Sequence, residues 1–134
     1  MIMKKCKILL FLFGGTGLIM GCANEKKREL ANPASQNCVK RGGVLKITQR
    51  GDGGAYGICI FADNRQCEEW ALFRGNCPPT GIKITGFLTP QGIYCALLGG
   101  DVSENETQCQ LPSGAKCSTQ DLYEGKCPNL KNTN

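Results

Sequence analysis

The chain has 134 residues, room for one ordinary domain or two very small ones. Its net charge is only +5 and its basic residues form no strong patch, which excludes a nucleic-acid footprint. It has ten cysteines and no histidine, so a histidine-based catalytic triad is excluded and no metal or cofactor is expected.

The first stretch, MIMKKCKILLFLFGGTGLIMGC, begins with Lys4, Lys5 and Lys7 and continues as an apolar run from Ile8 to Met20. The run is shorter than the roughly 20 apolar residues of a membrane span. It suits the hydrophobic region of a signal peptide. Ile19-Met20-Gly21-Cys22 resembles a bacterial lipobox, which implies cleavage before Cys22 and lipidation of that cysteine. Several acyl chains on one residue give stable anchoring, whereas a single chain is marginal. Ala23, in place of Asp, implies sorting to the outer membrane in a Gram-negative cell. The membrane is then a partner through the N-terminal lipid. Residues 1–21 are read as the signal peptide and 22–31 as a tether carrying Lys26, Lys27 and Arg28. The mature chain keeps 13 basic against 11 acidic residues, a balance of +2.

Eight cysteines remain beyond Cys6 and Cys22, an even number in a small exported chain, which reads as a disulfide framework. Their spacing repeats. Cys59, Cys67 and Cys77 are separated by seven and nine residues, and so are Cys109, Cys117 and Cys127. Cys38 precedes Gly42-Gly43 by the distance at which Cys95 precedes Gly99-Gly100. CEEWALFRGNCP (67–78) and CSTQDLYEGKCP (117–128) share their cysteines, glycine and proline. The pattern predicts one unit written twice, at 32–79 and 89–129, with a linker at 80–88 and a tail at 130–134.

In chain order, Asn32-Pro33 opens a first helix through Arg41, with Asn32 as N-cap and proline at the first helical position. Gly42 ends it. VLKITQ, Val44 to Gln49, is a β-branched strand, and Asp52-Gly53 marks the hairpin turn before a returning strand from Tyr56 to Phe61. Asp63-Asn64 is a further turn. A closing helix is expected from Glu68 to Arg74, stopped by Gly75 and Pro78. Thr80 to Leu88 is apolar enough to pack, with an extra strand as one form. The second unit runs from Thr89-Pro90 through a poorer hairpin, DVSENETQ, to a helix from Ser118 to Glu124, where Ser118 and Asp121 form a capping box. The expected fold is α+β: two disulfide-stapled helix–β-hairpin–helix repeats after a lipoprotein signal peptide. Units of this size need staples. Four cysteines per unit allow three pairings. We favour Cys38–Cys77 with Cys59–Cys67, and Cys95–Cys127 with Cys109–Cys117.

NPASQNCVKRGG, YGICIF and CEEWALFRGNCP together resemble the repeat of a family of small exported bacterial proteins. Members are often lipoproteins and carry a hemolysin label or no assigned function. The resemblance supplies no catalytic residues, and the second unit departs from it at Ser118-Thr119-Gln120.

Glu68 and Glu69 are adjacent acids, but neighbours on a helix diverge by about 100°, so helix-start electrostatics explains them better than acid–base chemistry. Trp70 and Phe73 are placed in the core, with an exposed binding pair as the alternative. Arg50 and Asp52 sit at a hairpin tip. The resulting expectation is a non-enzymatic, lipid-anchored envelope protein that binds an unidentified protein or envelope ligand. Its candidate contact surface comprises Arg50, Asp52, Glu68, Glu69, Trp70 and Phe73. The alternatives are a membrane-active hemolysin and a small protease-inhibitor-like module presenting loop 50–55.

Overall fold

The structure, a computed structural model, describes residues 32–128. The signal-peptide, lipidation and tether assignments at 1–31, and the tail at 130–134, lie outside the described residues.

Each half follows one order of elements. The first has helix α1 (Pro33–Lys40), strands β1 (Val44–Gln49), β2 (Ala55–Ile60) and β3 (Arg65–Glu68), then helix α2 (Glu69–Phe73). Strand β4 (Ile82–Lys83) lies in the connecting segment. The second has α3 (Pro90–Leu97), β5 (Asp101–Val102), β6 (Gln108–Gln110), β7 (Lys116–Ser118) and α4 (Thr119–Tyr123). The sheets are antiparallel, with strand orders β1-β2-β3-β4 and β5-β6-β7. The architecture is thus α+β with disulfides.

Local chemistry accounts for the helix ends. The Asn32 side chain accepts from the Ala34 and Ser35 amides, and Thr89 Oγ1 accepts from Gly92 N at 3.0 Å. Gly42 and Gly99 leave α1 and α3 at φ 82° and 81°, a conformation that favours glycine.

A third strand in each half corrects the expected hairpin. Cys67 and Cys117 lie in β3 and β7, so the closing helices begin later than expected, at Glu69 and Thr119. Glu68 is the N-cap of α2: its Oε2 accepts from Ala71 N at 2.8 Å. Ser118 caps α4 in the same way, accepting from Asp121 N at 3.0 Å. These strands have only four and three residues, too short to show an alternating pattern, and the ladder to β2 or β6 defines them.

The cysteines pair differently from the expectation. The bridges are Cys38–Cys59, Cys67–Cys77, Cys95–Cys109 and Cys117–Cys127, with Cα separations of 5.6, 6.1, 5.9 and 5.8 Å. All four separations suit a disulfide. Cys59 faces Cys67 directly across β2 and β3, and Cys109 faces Cys117 across β6 and β7. Directly opposed residues point to the same side of a sheet. Each pair of strand cysteines therefore lies side by side, and each member bonds upward. Cys59 bonds to Cys38 on α1, and Cys67 bonds to Cys77 just beyond α2. The expected Cys59–Cys67 and Cys38–Cys77 bridges would join strand to strand and helix to helix. The bridges formed join the helical layer to the sheet. Gly43 and Gly100 are where the chain passes over two of them: a Cβ on Gly100 would lie 2.8 Å from both Cys95 Sγ and Cys109 Sγ.

Two cores result. Cys38, Cys59, Cys67, Ala71, Leu72 and Cys77 form the first, with Leu45, Phe61 and Ile82 at its edge. Tyr94, Cys95, Cys109, Leu111, Cys117, Leu122 and Cys127 form the second. Tyr56, on β2 of the first half, packs against the second core.

Candidate functional site: a cleft where the halves meet

The tip of the β1–β2 hairpin reaches the second half. Gly51 N donates to Tyr123 O at 3.2 Å, and Tyr123 Oη reaches Gln49 O at 3.5 Å. All three tyrosines of the chain meet here. The Tyr56 and Tyr94 rings lie 4.9 Å apart at 64°, and those of Tyr94 and Tyr123 lie 5.7 Å apart at 67°. Both are edge-to-face arrangements, which aromatic quadrupoles favour. Arg50 pairs with Asp52 at 3.1 Å, and the neighbouring Tyr94 phenol first, then Asp52, raise the pKa of its guanidinium. Asp52 Oδ1 also accepts from Gly54 N at 2.9 Å, which fixes the turn.

Burial pushes the Tyr56 phenol up to about 12, and it raises that of Tyr94 as well. A phenol with a raised folded-state pKa stabilises the fold below its unfolded value near 10, and that contribution is lost as pH rises toward 12. A spectrophotometric titration should show late phenol ionisation, accompanied by loss of near-ultraviolet dichroism between about pH 10 and 12. Ionisation of the Tyr56 and Tyr94 phenols near pH 10 with no change in dichroism would contradict the packing.

Beside the tyrosines is a cleft of about 370 Å³, inside the size range of small-molecule sites. Its walls come from Arg50, Ala55 and Tyr56 of the hairpin, from Glu68, Glu69, Trp70, Arg74 and Asn76 around α2, from Tyr94 on α3 and Leu98 at its end, and from 111–113 of the β6–β7 turn. Trp70 lines it while remaining 37 % exposed, and Phe73 beside it is 48 % exposed. Their rings are 5.8 Å apart and nearly perpendicular. This corrects the expected burial of both: α2 has five residues and spends Ala71 and Leu72 on the core, so its opposite side is left to solvent.

The other expected contact residues divide. The Arg50 and Asp52 side chains are partly buried, 27 % and 31 % exposed, and Gly51 N ties the loop to Tyr123 O of the other half. Glu68 and Glu69 are each 5 % exposed: they line the cleft rather than a free surface. Burial raises the Glu68 carboxyl, against the opposing pull of the Trp70 and Ala71 amides. Glu69 accepts from the Ser35 hydroxyl, and from Asn32 Nδ2 at 3.3 Å, so it ties α2 to the start of α1. Gly57 makes room for it: a Cβ there would lie 2.6 Å from the Glu69 carboxyl carbon. Glu69→Ala would strand the buried Ser35 hydroxyl and the partly buried Asn32 amide and should cost about 1–3 kcal/mol by denaturant unfolding. A change within error would contradict the tie.

The same geometry explains the departure at Ser118-Thr119-Gln120. Ser118 takes over the cap made by Glu68. Thr119, buried like Glu69, donates from Oγ1 to Glu106 O at 2.6 Å. The carboxylate of Glu106 accepts from Leu88 N at 2.7 Å, Thr89 N at 2.8 Å and the Thr89 hydroxyl, and so holds the start of α3. Those bonds, the Thr89 hydroxyl first, lower its pKa. Sequence reasoning missed Tyr56, Tyr94, Asn76 and Glu106. Only the tyrosines left a signal, as polar-tipped aromatics within apolar elements.

Among the described residues, no group of His, Cys, Asp or Glu could hold a metal ion, and no helix is long and apolar enough to cross a membrane.

Residues 29–76 match the family described as a domain of unknown function (DUF333). The chain is 31 % identical over 51 residues to the uncharacterized protein YdbJ of Escherichia coli K12, and likewise to YdbJ of Escherichia coli O6:H1. Those alignments cover 38 % of this chain and 58 % of each relative, so the chain spans somewhat more than half the length of the curated relatives it matches. No solved structure matches. These similarities point to a family of small bacterial proteins whose function is unknown.

Proposed function

We propose that this protein is a lipid-anchored, non-enzymatic binding module of the bacterial envelope, held at the outer membrane through Cys22, and that its ligand site is the cleft between two copies of one duplicated unit. The observation that carries the reading is the cleft itself, rimmed by an exposed tryptophan and walled by both halves. The repeated cysteine spacing and the shared order of elements support duplication. The lipobox-like stretch supports the anchor. The buried carboxylates are committed to helix starts, which favours binding over acid–base chemistry.

The test is in-cell photo-crosslinking with the full chain. A photoreactive residue is placed singly at Trp70, Asn76 or Ser113 in the cleft, and at Lys40 or Lys83 as controls outside its lining. Adducts formed from the cleft positions and not from the controls are expected. Adducts absent from the cleft positions, or equal at the controls, would overturn the proposal. An intact mass carrying acyl chains on Cys22 tests the anchor separately.

A further inference from the structure

We infer that the cleft takes a neutral saccharide, stacked on Trp70 and hydrogen-bonded by the polar wall beside it; the inference rests on the binding reading above and specifies its ligand. The cations of the lining are already matched. Arg50 is ion-paired with Asp52 at 3.1 Å, and Arg74 lies in the field of Glu68. An anionic ligand would have to compete with both carboxylates, and a cationic one with both guanidinium groups. A neutral polyhydroxyl ligand competes with neither. It needs an apolar face to cover its ring C–H groups and fixed polar groups at the edge to take its hydroxyls.

Both are present. Trp70 offers an exposed aromatic ring on the lining, with the Phe73 ring packed perpendicular to it at 5.8 Å. Asn76 supplies an amide that can donate and accept, and Ser113, from the other half, a hydroxyl. The main chain at Asn76 is held at the end of α2, where its N–H donates to Ala71 O at 2.8 Å. The main chain that carries these groups is held by helix and turn bonds, which limits the ordering cost of binding to their side chains.

Trp70 is the chain's single tryptophan, so its fluorescence reports the site directly. The full chain in detergent is titrated with a β-1,4-linked N-acetylglucosamine tetramer and with cellotetraose. The comparison probes are inorganic phosphate, spermidine and an uncharged capped tripeptide. A saturable emission change with at least one neutral saccharide is expected, with affinity at least tenfold weaker in Asn76→Ala. Trp70→Ala, followed by calorimetry, should release no binding heat while keeping the wild-type circular dichroism. Silence toward both saccharides, equal affinity in Asn76→Ala, or a response confined to phosphate, spermidine or the tripeptide would overturn the inference. Protease-sensitive crosslinks from the cleft together with saccharide silence would leave the binding reading standing and remove this one.

Discussion

Replacing Tyr94 with alanine should lower the stability of the chain by about 3–5 kcal/mol, the usual cost of deleting a large aromatic from a packed interior. It should also separate the unfolding of the two halves. Tyr94 is 5 % exposed and belongs to the second core, yet it touches Tyr56 of the first half and Tyr123 of the second. It therefore stabilises one core and couples the two. Denaturant unfolding followed by Trp70 fluorescence reports the first half, and far-ultraviolet dichroism reports both. The two curves should coincide in the wild type and diverge in Tyr94→Ala. Tyr94→Phe keeps the ring contacts and loses only the hydroxyl that interacts with Arg50, so its curves should still coincide. Coincident curves in Tyr94→Ala, or divergent curves in the wild type, would contradict a coupled junction.

The second large effect is on the covalent frame. The double substitution Cys38→Ser, Cys59→Ser removes a bridge closing a sequence separation of 21 residues. Chain-entropy reasoning assigns such a loop about 3.4 kcal/mol. Removing the Cys67–Cys77 bridge, with a separation of 10, should cost less, about 2.8 kcal/mol on the same reasoning. Double substitution avoids leaving a lone reactive thiol. The ranking discriminates between pairings. With Cys38 bonded to Cys77, the Cys38, Cys59 pair would break two bridges at once and leave two unmatched thiols at Cys67 and Cys77. Thiol titration of the unfolded variant should find none among the cysteines of the first half.

The helices were legible because their ends carry chemistry that acts locally. Asn32-Pro33, Thr89-Pro90 and Ser118 name the starts, and Gly42 and Gly99 name two of the stops. Strand β1 was legible from its β-branched run. Strands β3 and β7 were not, because three or four residues carry too little pattern and their strand character comes from a neighbour. The pairing of the cysteines depends on register, since one position along β3 would carry Cys67 to the opposite face. Gly43 and Gly100 held a clue, as bare backbone beside a sulfur pair, but a glycine after a helix reads first as a stop. Trp70 was misplaced by the habit of giving large aromatics to the core. A five-residue helix has one inward side, and Ala71 with Leu72 already fills it. The cleft could not be read from either unit alone, because Tyr56 and Trp70 come from one half and Tyr94 and Ser113 from the other.

Within each half, the walls of the cleft are held by bonding the helical layer to the sheet below it. Non-reducing proteolysis with mass spectrometry of the chain isolated from its native envelope tests that directly. Peptides joined as Cys38–Cys59, Cys67–Cys77, Cys95–Cys109 and Cys117–Cys127 are expected. Peptides joined as Cys59–Cys67 or Cys109–Cys117 would contradict it.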